Sequence, residues 1–118
     1  MFMGIERKTP ELEQRRSKRF KVELAVKVHL SDAGKPSASH GTGTNISDGV
    51  MQLFISRDLA VGQLVTLELS LPYHRKKLKL RAVIKSRVSF NYGVEFLNLS
   101  EHDREVIVQS CRVLALME

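Results

Sequence analysis

The chain has no tryptophan and one cysteine in 118 residues, and aromatic side chains make up only 6% of it. Each shortage removes a class of protein. With Cys111 alone, no disulfide closes within the chain and no thiolate cluster holds a metal. Free cysteine mostly packs as a small hydrophobe, and Cys111 falls on what reads as a buried helix face. So few aromatics leave little for stacking bases along a positive groove, the device by which small basic barrels hold single-stranded nucleic acid. No apolar run approaches the roughly 20 residues that span a bilayer, so no membrane insertion is expected. The opening Met1-Phe2-Met3-Gly4-Ile5 is too short for a signal peptide's apolar region and runs into charge, which makes the cytoplasm the expected location. His29, His40, His74 and His102 are scattered without ligand spacing, so no metal is expected. Asp48, Asp58 and Asp103 lack a paired partner for acid–base work, and no nucleophile stands beside a plausible base. Neither a catalytic residue nor a cofactor is expected.

What is present fits one small domain. Hydrophobic residues make up 42% and charged ones 27%, ordinary for a globular fold. The net charge of +6 favours an anionic partner without naming it. Arg7, Lys8, Arg15, Arg16, Lys18, Arg19 and Lys21 crowd the N-terminal arm. Arg75, Lys76, Lys77, Lys79, Arg81, Lys85 and Arg87 form a second block without an acid among them.

Residues 1–19 lack a usable apolar period, although Thr9-Pro10-Glu11 suits the start of a short solvated helix. From Phe20 the period becomes two: Phe20, Val22, Leu24, Val26, Val28 and Leu30 alternate with Lys21, Glu23, Ala25, Lys27 and His29. Ser31 to Ser37 reads as a polar turn or hairpin loop. A weaker strand follows from Ala38 to Ile46, then a tight turn at Asn45-Ile46-Ser47-Asp48-Gly49 and an extended run from Val50 to Ile55. Val65, Leu67, Leu69 and Leu71 alternate up to Pro72, which stops the strand. Leu78, Leu80, Ala82, Ile84 and Val88 alternate with a basic outer stripe, which reads first as a solubilising exterior, and Tyr92, Val94 and Phe96 add a short strand. The period then becomes helical: Ser100 suits an N-cap, and Val106, Ile107, Cys111, Leu114 and Met117 recur at helical spacing. Short strands with Gly-marked turns and one final helix predict a mainly β fold, a barrel with the helix over an open end or side.

Two motifs stand out. Arg15-Arg16-Ser17-Lys18-Arg19 holds an R-x-x-x-R spacing just before the first strand, and Asn45-Ile46-Ser47 sits in a turn about one hairpin later. With Asn91-Tyr92-Gly93-Val94-Glu95-Phe96 and the Ser100 helix, their order and separation resemble the PilZ family from about residue 15 to the C-terminus. The resemblance implies a six-stranded antiparallel β-barrel with a C-terminal helix, residues 1–14 forming a flexible arm and 15–118 the domain. It also implies a receptor for cyclic di-GMP that relays its signal to a partner protein. Arg15, Arg16 and Arg19 would wrap the nucleotide, and Asn45, Ser47, Gly49 and Val50 would form the turn that holds a guanine. The family's final motif glycine aligns with Val50, while this chain has its glycine one place earlier, at Gly49. Either Gly49 supplies the freedom that positive φ or close approach requires, or the domain keeps the fold and has lost affinity.

The chemistry agrees with these roles. Arg offers a planar fork that clamps phosphate, pairs with guanine O6 and N7, and stacks on flat rings. Asn and Ser in a tight turn present polar groups on short stems. Two other functions remain open: a PilZ domain that binds only protein, and a basic barrel that binds single-stranded nucleic acid. Phe20, Tyr92 and Phe96 fall on inward faces by alternation, which weighs against the latter.

Overall fold

Stretches in which aliphatic residues alternate with polar ones have one apolar face each, and a sheet closed on itself buries all those faces together. The computed structural model describes residues 18–32, 34–72 and 74–117. The basic arm with Arg15 and Arg16, and the short helix expected at Thr9-Pro10-Glu11, lie outside the described residues. Among the described residues the strands are β1 (Phe20–Asp32), β2 (Lys35–Ile46), β3 (Val50–Phe54), β4 (Leu64–Leu69), β5 (Leu78–Val88) and β6 (Asn91–Leu97). One helix, α1 (Glu101–Met117), follows. All pairings are antiparallel, and the sheet closes in the order β1-β2-β3-β6-β5-β4, with Val26–His29 of β1 returning to β4. The expected six-stranded antiparallel barrel with a C-terminal helix is therefore the fold.

The inward residues are those the alternation marks, except Val88, which is 76% exposed because the bulge between Ile84 and Ser86 puts the end of β5 out of phase. Val28, Leu53, Leu67, Ala82, Ile84 and Tyr92 are fully buried, with Phe20 and Phe96 nearly so. Tyr92 also anchors the link between β3 and β4: its hydroxyl donates to the Arg57 carbonyl at 2.6 Å and accepts from the Leu59 N–H at 2.9 Å. Gly41 is required by close approach, since a Cβ there would lie 2.7 Å from the Phe54 carbonyl oxygen.

Two further expectations change. The hairpin turn expected at Ser31–Ser37 is there but tighter than read: Ser31 pairs with Pro36 and Asp32 with Lys35, leaving a two-residue link in which Gly34 takes φ of +79°. The β1–β2 hairpin runs past the residues that β3 and β4 pair with. Its tip has no neighbouring strand to pack against and carries no alternation to read. The helix also differs. Val106 and Ile107 join the core, but Cys111 and Leu114 are half-buried and Met117 is 68% exposed. At 1.5 Å per residue, α1 outruns the barrel end that it covers, so its last turns lie beyond the core. Ser110 is buried instead, its hydroxyl donating to the Pro72 carbonyl at 3.4 Å. The N-cap is as expected: Ser100 Oγ accepts from the Asp103 N–H at 3.0 Å, a bond worth about 1 kcal/mol.

Candidate functional site

Phe20 pairs with Ile46, Ile46 with Met51, Val50 with Glu95, and Leu69 with Leu78. These ladders place the start of β1, the β2–β3 turn and the β4–β5 link at one end of the barrel, which α1 covers. Because Phe20 lies opposite Ile46, the chain enters β1 alongside the Asn45–Ser47 segment. Arg19, Asn45, Ser47, Gly49 and Val50, read from separate parts of the sequence, are thereby gathered at that end.

The local geometry follows from an irregularity in the ladder. Gly43 pairs with Leu53 and Asn45 with Gln52, so Thr44 is an extra residue in β2. Such a bulge twists the strand and re-aims its side chains. It lets Gly43 and Ile46, three places apart, both face the core while Asn45 turns outward. Asn45 is half-buried, and its Oδ1 is sealed from solvent without a hydrogen-bond partner. Buried acceptors are nearly always satisfied, so this one marks the position. The other edge of the amide reaches the surface.

Ser47 is 1% exposed. Its N–H donates to the Val50 carbonyl at 2.9 Å, and its hydroxyl accepts from the Val50 N–H at 3.4 Å. The hydroxyl is thus engaged in closing the turn. Neither Gly49 nor Val50 takes a positive φ, so conformation does not demand glycine at either place. A Cβ at Gly49 would meet nothing within 4 Å, and the Gly49 carbonyl accepts from the Phe96 N–H at 3.0 Å. Val50 begins β3 opposite Glu95, half-buried on the outer face. Of the two reasons for a motif glycine, only close approach of a ligand remains.

Arg19 is exposed, and the Lys18 ammonium stands 5.3 Å from the centre of the Phe20 ring. A groove of about 240 Å³, lined by Lys18, Phe20, Asp48, Val108, Cys111 and Arg112 among others, separates the turn from α1. Burial, and then the charge of Asp48, push the Cys111 thiol up, which keeps it a protonated packing group. Lys21, which counted only as one charge of the arm, stands directly opposite Asn45 in the ladder. The register that shows this is not carried by any local sequence pattern.

The basic outer stripe of β5 is exterior as expected, and acids from the neighbouring strands and from the β3–β4 link are set into it. Lys77 lies 3.8 Å from Glu68, Lys85 lies 3.8 Å from Glu95, and Arg87 pairs with Asp58. His29 meets Glu68 at 2.9 Å, and that hydrogen bond holds the Glu68 carboxyl below its usual range.

The family model of the PilZ domain matches residues 13–112. No curated protein matches the chain at a significant level. Several solved structures share the fold. The inhibitor of motility MotI/DgrA of Bacillus subtilis superposes with a TM-score of 0.71 at 18% identity, over 86% of this chain and 51% of that protein. This chain thus spans about half of that protein's length. The PilZ domain of YcgR from Escherichia coli, a structure with cyclic di-GMP, gives 0.67 at 15% identity over 88% and 93% of the two chains. The PilZ domain of CeSA from a cellulose-synthesizing bacterium gives 0.62 at 16% identity over 86% and 100%. At such identities the likeness concerns the fold. No helix among the described residues is long and apolar enough to cross a membrane.

Proposed function

The chain belongs to the PilZ domain family, binding domains that are in general receptors for cyclic di-GMP, and we propose that it is such a receptor. The observation that carries this reading is the pairing of Phe20 with Ile46, which sets the start of β1, with Arg19 just before it, beside the Asn45 turn. In this reading the arm closes over the nucleotide. Arg15, Arg16 and Arg19 clamp its phosphates and stack on or pair with its guanines. The Asn45 amide meets a guanine edge, Ser47 and Gly49 set the turn, and Val50 bounds the site where the family motif has glycine. Closing the arm changes the surface at one end of the barrel, and a partner protein reads that change.

Titration calorimetry of the full chain with cyclic di-GMP, cyclic di-AMP and GMP tests the proposal. Cyclic di-GMP is expected to bind most tightly. Arg15→Ala and Arg19→Ala should each weaken it about ten- to 150-fold, the loss of a charge-assisted hydrogen bond of roughly 1.5–3 kcal/mol. Equal affinity for the adenine analogue, or no heat at high micromolar ligand, would sink the proposal and favour a domain that binds protein alone.

A further inference from the structure

Around the closed sheet β4 lies three strands from β3 in either direction, so the β4–β5 wall stands opposite the wall that carries the Asn45 turn. Its outward positions form three rows. Lys27, Glu68 and Lys79 stand side by side on β1, β4 and β5. His29, Thr66, Arg81 and Leu97 make the next row, and Leu64, Val83 and Glu95 the third. Both acids in these rows are already engaged, Glu68 by His29 at 2.9 Å and Lys77 at 3.8 Å, and Glu95 by Lys85 at 3.8 Å. Lys79 and Arg81, consecutive outward residues of β5, are exposed and have no ion pair among the described residues. Beside them the polar pattern of an outer face fails. Leu64 is 55% exposed, and Val83 and Leu97 are half-buried on the outside of the barrel. A groove of about 240 Å³ is lined by His29, Leu64, Thr66 and Arg81 among others. A second, of about 350 Å³, is lined by Lys27, His40, Glu68 and Lys77 among others.

We propose that this wall docks a short acidic segment of a partner protein, with an apolar side chain seated against Leu64 and Val83 and carboxylates on Arg81 and Lys79. A surface built only for solubility intersperses both signs of charge and exposes few aliphatic groups. Here unpaired cations adjoin aliphatic side chains, and arginine beside an apolar centre is the mixture found at protein interfaces. The Arg81 fork matches a carboxylate in geometry as well as charge. At the usual spacings the rows span about 14 Å across the strands and about 14 Å along them. That is the footprint of a few extended residues, well below the roughly 800 Å² that each partner buries in a standard interface. Other anionic partners fit less well. The three rows hold no aromatic ring on which bases would stack. Val83 and Leu97 lie below the reach of the long lysine and arginine stems, where a side chain descends and a flat lipid leaflet does not. The proposal stands apart from the cyclic di-GMP reading, because the wall faces away from the Asn45 turn and takes its partner without nucleotide.

Amide NMR of the full chain without nucleotide tests this. The probe is a synthetic peptide of about eight residues, one leucine between runs of glutamate, long enough when extended to cross the rows. The amides of Leu64, Thr66, Arg81, Val83 and Leu97 should shift on titration, and the same peptide with glutamine for glutamate should leave them in place. Arg81→Ala should weaken the peptide by about tenfold, as for a lost charge-assisted hydrogen bond. Leu64→Ala should weaken it by about three- to fivefold through lost apolar contact. Lys35→Ala, at the tip of the β1–β2 hairpin, removes the same charge elsewhere and should change affinity by less than about twofold, because screening confines its reach. Melting temperatures of Arg81→Ala and Lys79→Ala should equal the parent's, since neither cation is paired. Shifts confined to other faces, no shifts at all, or equal losses from Arg81→Ala and Lys35→Ala would overturn the proposal. So would an oligothymidylate, or vesicles of phosphatidylserine, that moves these amides at concentrations where the peptide does not. The cyclic di-GMP reading is tested by separate titrations, so either reading can fail alone.

Discussion

Replacing Asn45 by alanine should make the free domain more stable and the receptor worse. The Asn45 Oδ1 atom is sealed from solvent and unpaired, and a buried acceptor left without a donor costs roughly 1–3 kcal/mol. Alanine removes that cost and keeps the Cβ. It gives up only the amide's modest contacts in a half-buried position, and neither residue favours strands. The net gain should be about 0.5–2 kcal/mol. For domains near this size 1 kcal/mol moves the melting temperature by roughly 4 °C, so a rise of about 2–8 °C is expected without ligand. Affinity for cyclic di-GMP should fall by at least about tenfold, because the guanine edge loses its partner and keeps an unpaired group. Ligand stabilises the folded state by RT ln(1 + [L]/Kd), so the rise in melting temperature that cyclic di-GMP gives the parent should shrink in the variant. Thermal denaturation followed by circular dichroism, with and without ligand, reads both effects on one sample. A ligand-free variant destabilised by about 1 kcal/mol or more would refute the reasoning, since the amide would then be satisfied in solution. Unchanged affinity would remove Asn45 from the site.

Val50→Gly should lower the melting temperature slightly, by less than about 1 kcal/mol of strand preference plus part of a valine's burial, while tightening cyclic di-GMP binding. Unchanged affinity in a domain that binds well would show that Gly49 suffices and Val50 does not stand in the way. Tyr92→Phe strips the partner from the buried Leu59 N–H and should cost about 1–3 kcal/mol in urea denaturation, with ligand affinity unaltered because the Tyr92 side chain points into the core and not to the outer wall. A loss of affinity there would mean that the core is coupled to the site. Cys111, whose thiol is raised by burial and by Asp48, holds less thiolate folded than unfolded, so at pH 8.5 a disulfide reagent should label it more slowly than in the urea-unfolded chain. Asp48→Asn should speed that labelling in the folded protein, and equal rates before and after the change would remove Asp48 as a cause.

The alternation from Phe20 to Leu30 and from Leu78 to Ile84 was enough to mark the inward faces, because the aliphatic side chains there meet the same core, but it misplaced Val88, which the bulge at Lys85 turns outward. The helix was legible from its Ser100 cap and its change of period. The β1–β2 tip was not, since strands with no neighbour beyond them need no apolar face. Met117 misled for a related reason: helical spacing reports a face but says nothing of where the barrel beneath it ends. At the site, Asn45 and Ser47 were marked by turn chemistry and by family resemblance. Lys21 was invisible as a neighbour of Asn45 because only ladder register joins them. The shifts between Lys21 and Leu24, Gly43 and Asn45, and Ile84 and Ser86 each move that register by one residue. A one-residue slip exchanges the two faces of a strand, so no count along the chain recovers that pairing.

Closure of the sheet restricts how anything can dock on this protein. An open sheet offers unpaired N–H and C=O groups to which a second chain adds a strand, but here β1 returns to β4 and leaves no such rim around the barrel wall. The exposed stretch of hairpin at Lys35–Ala38 lies beyond the residues that pair with β3, and there Pro36 offers no backbone donor while Lys35 adds charge. Strand addition is discouraged even at that margin. Whatever associates with the wall must recognise side chains, and a bound nucleotide, presenting bases and phosphates in their place, would change what such a partner meets.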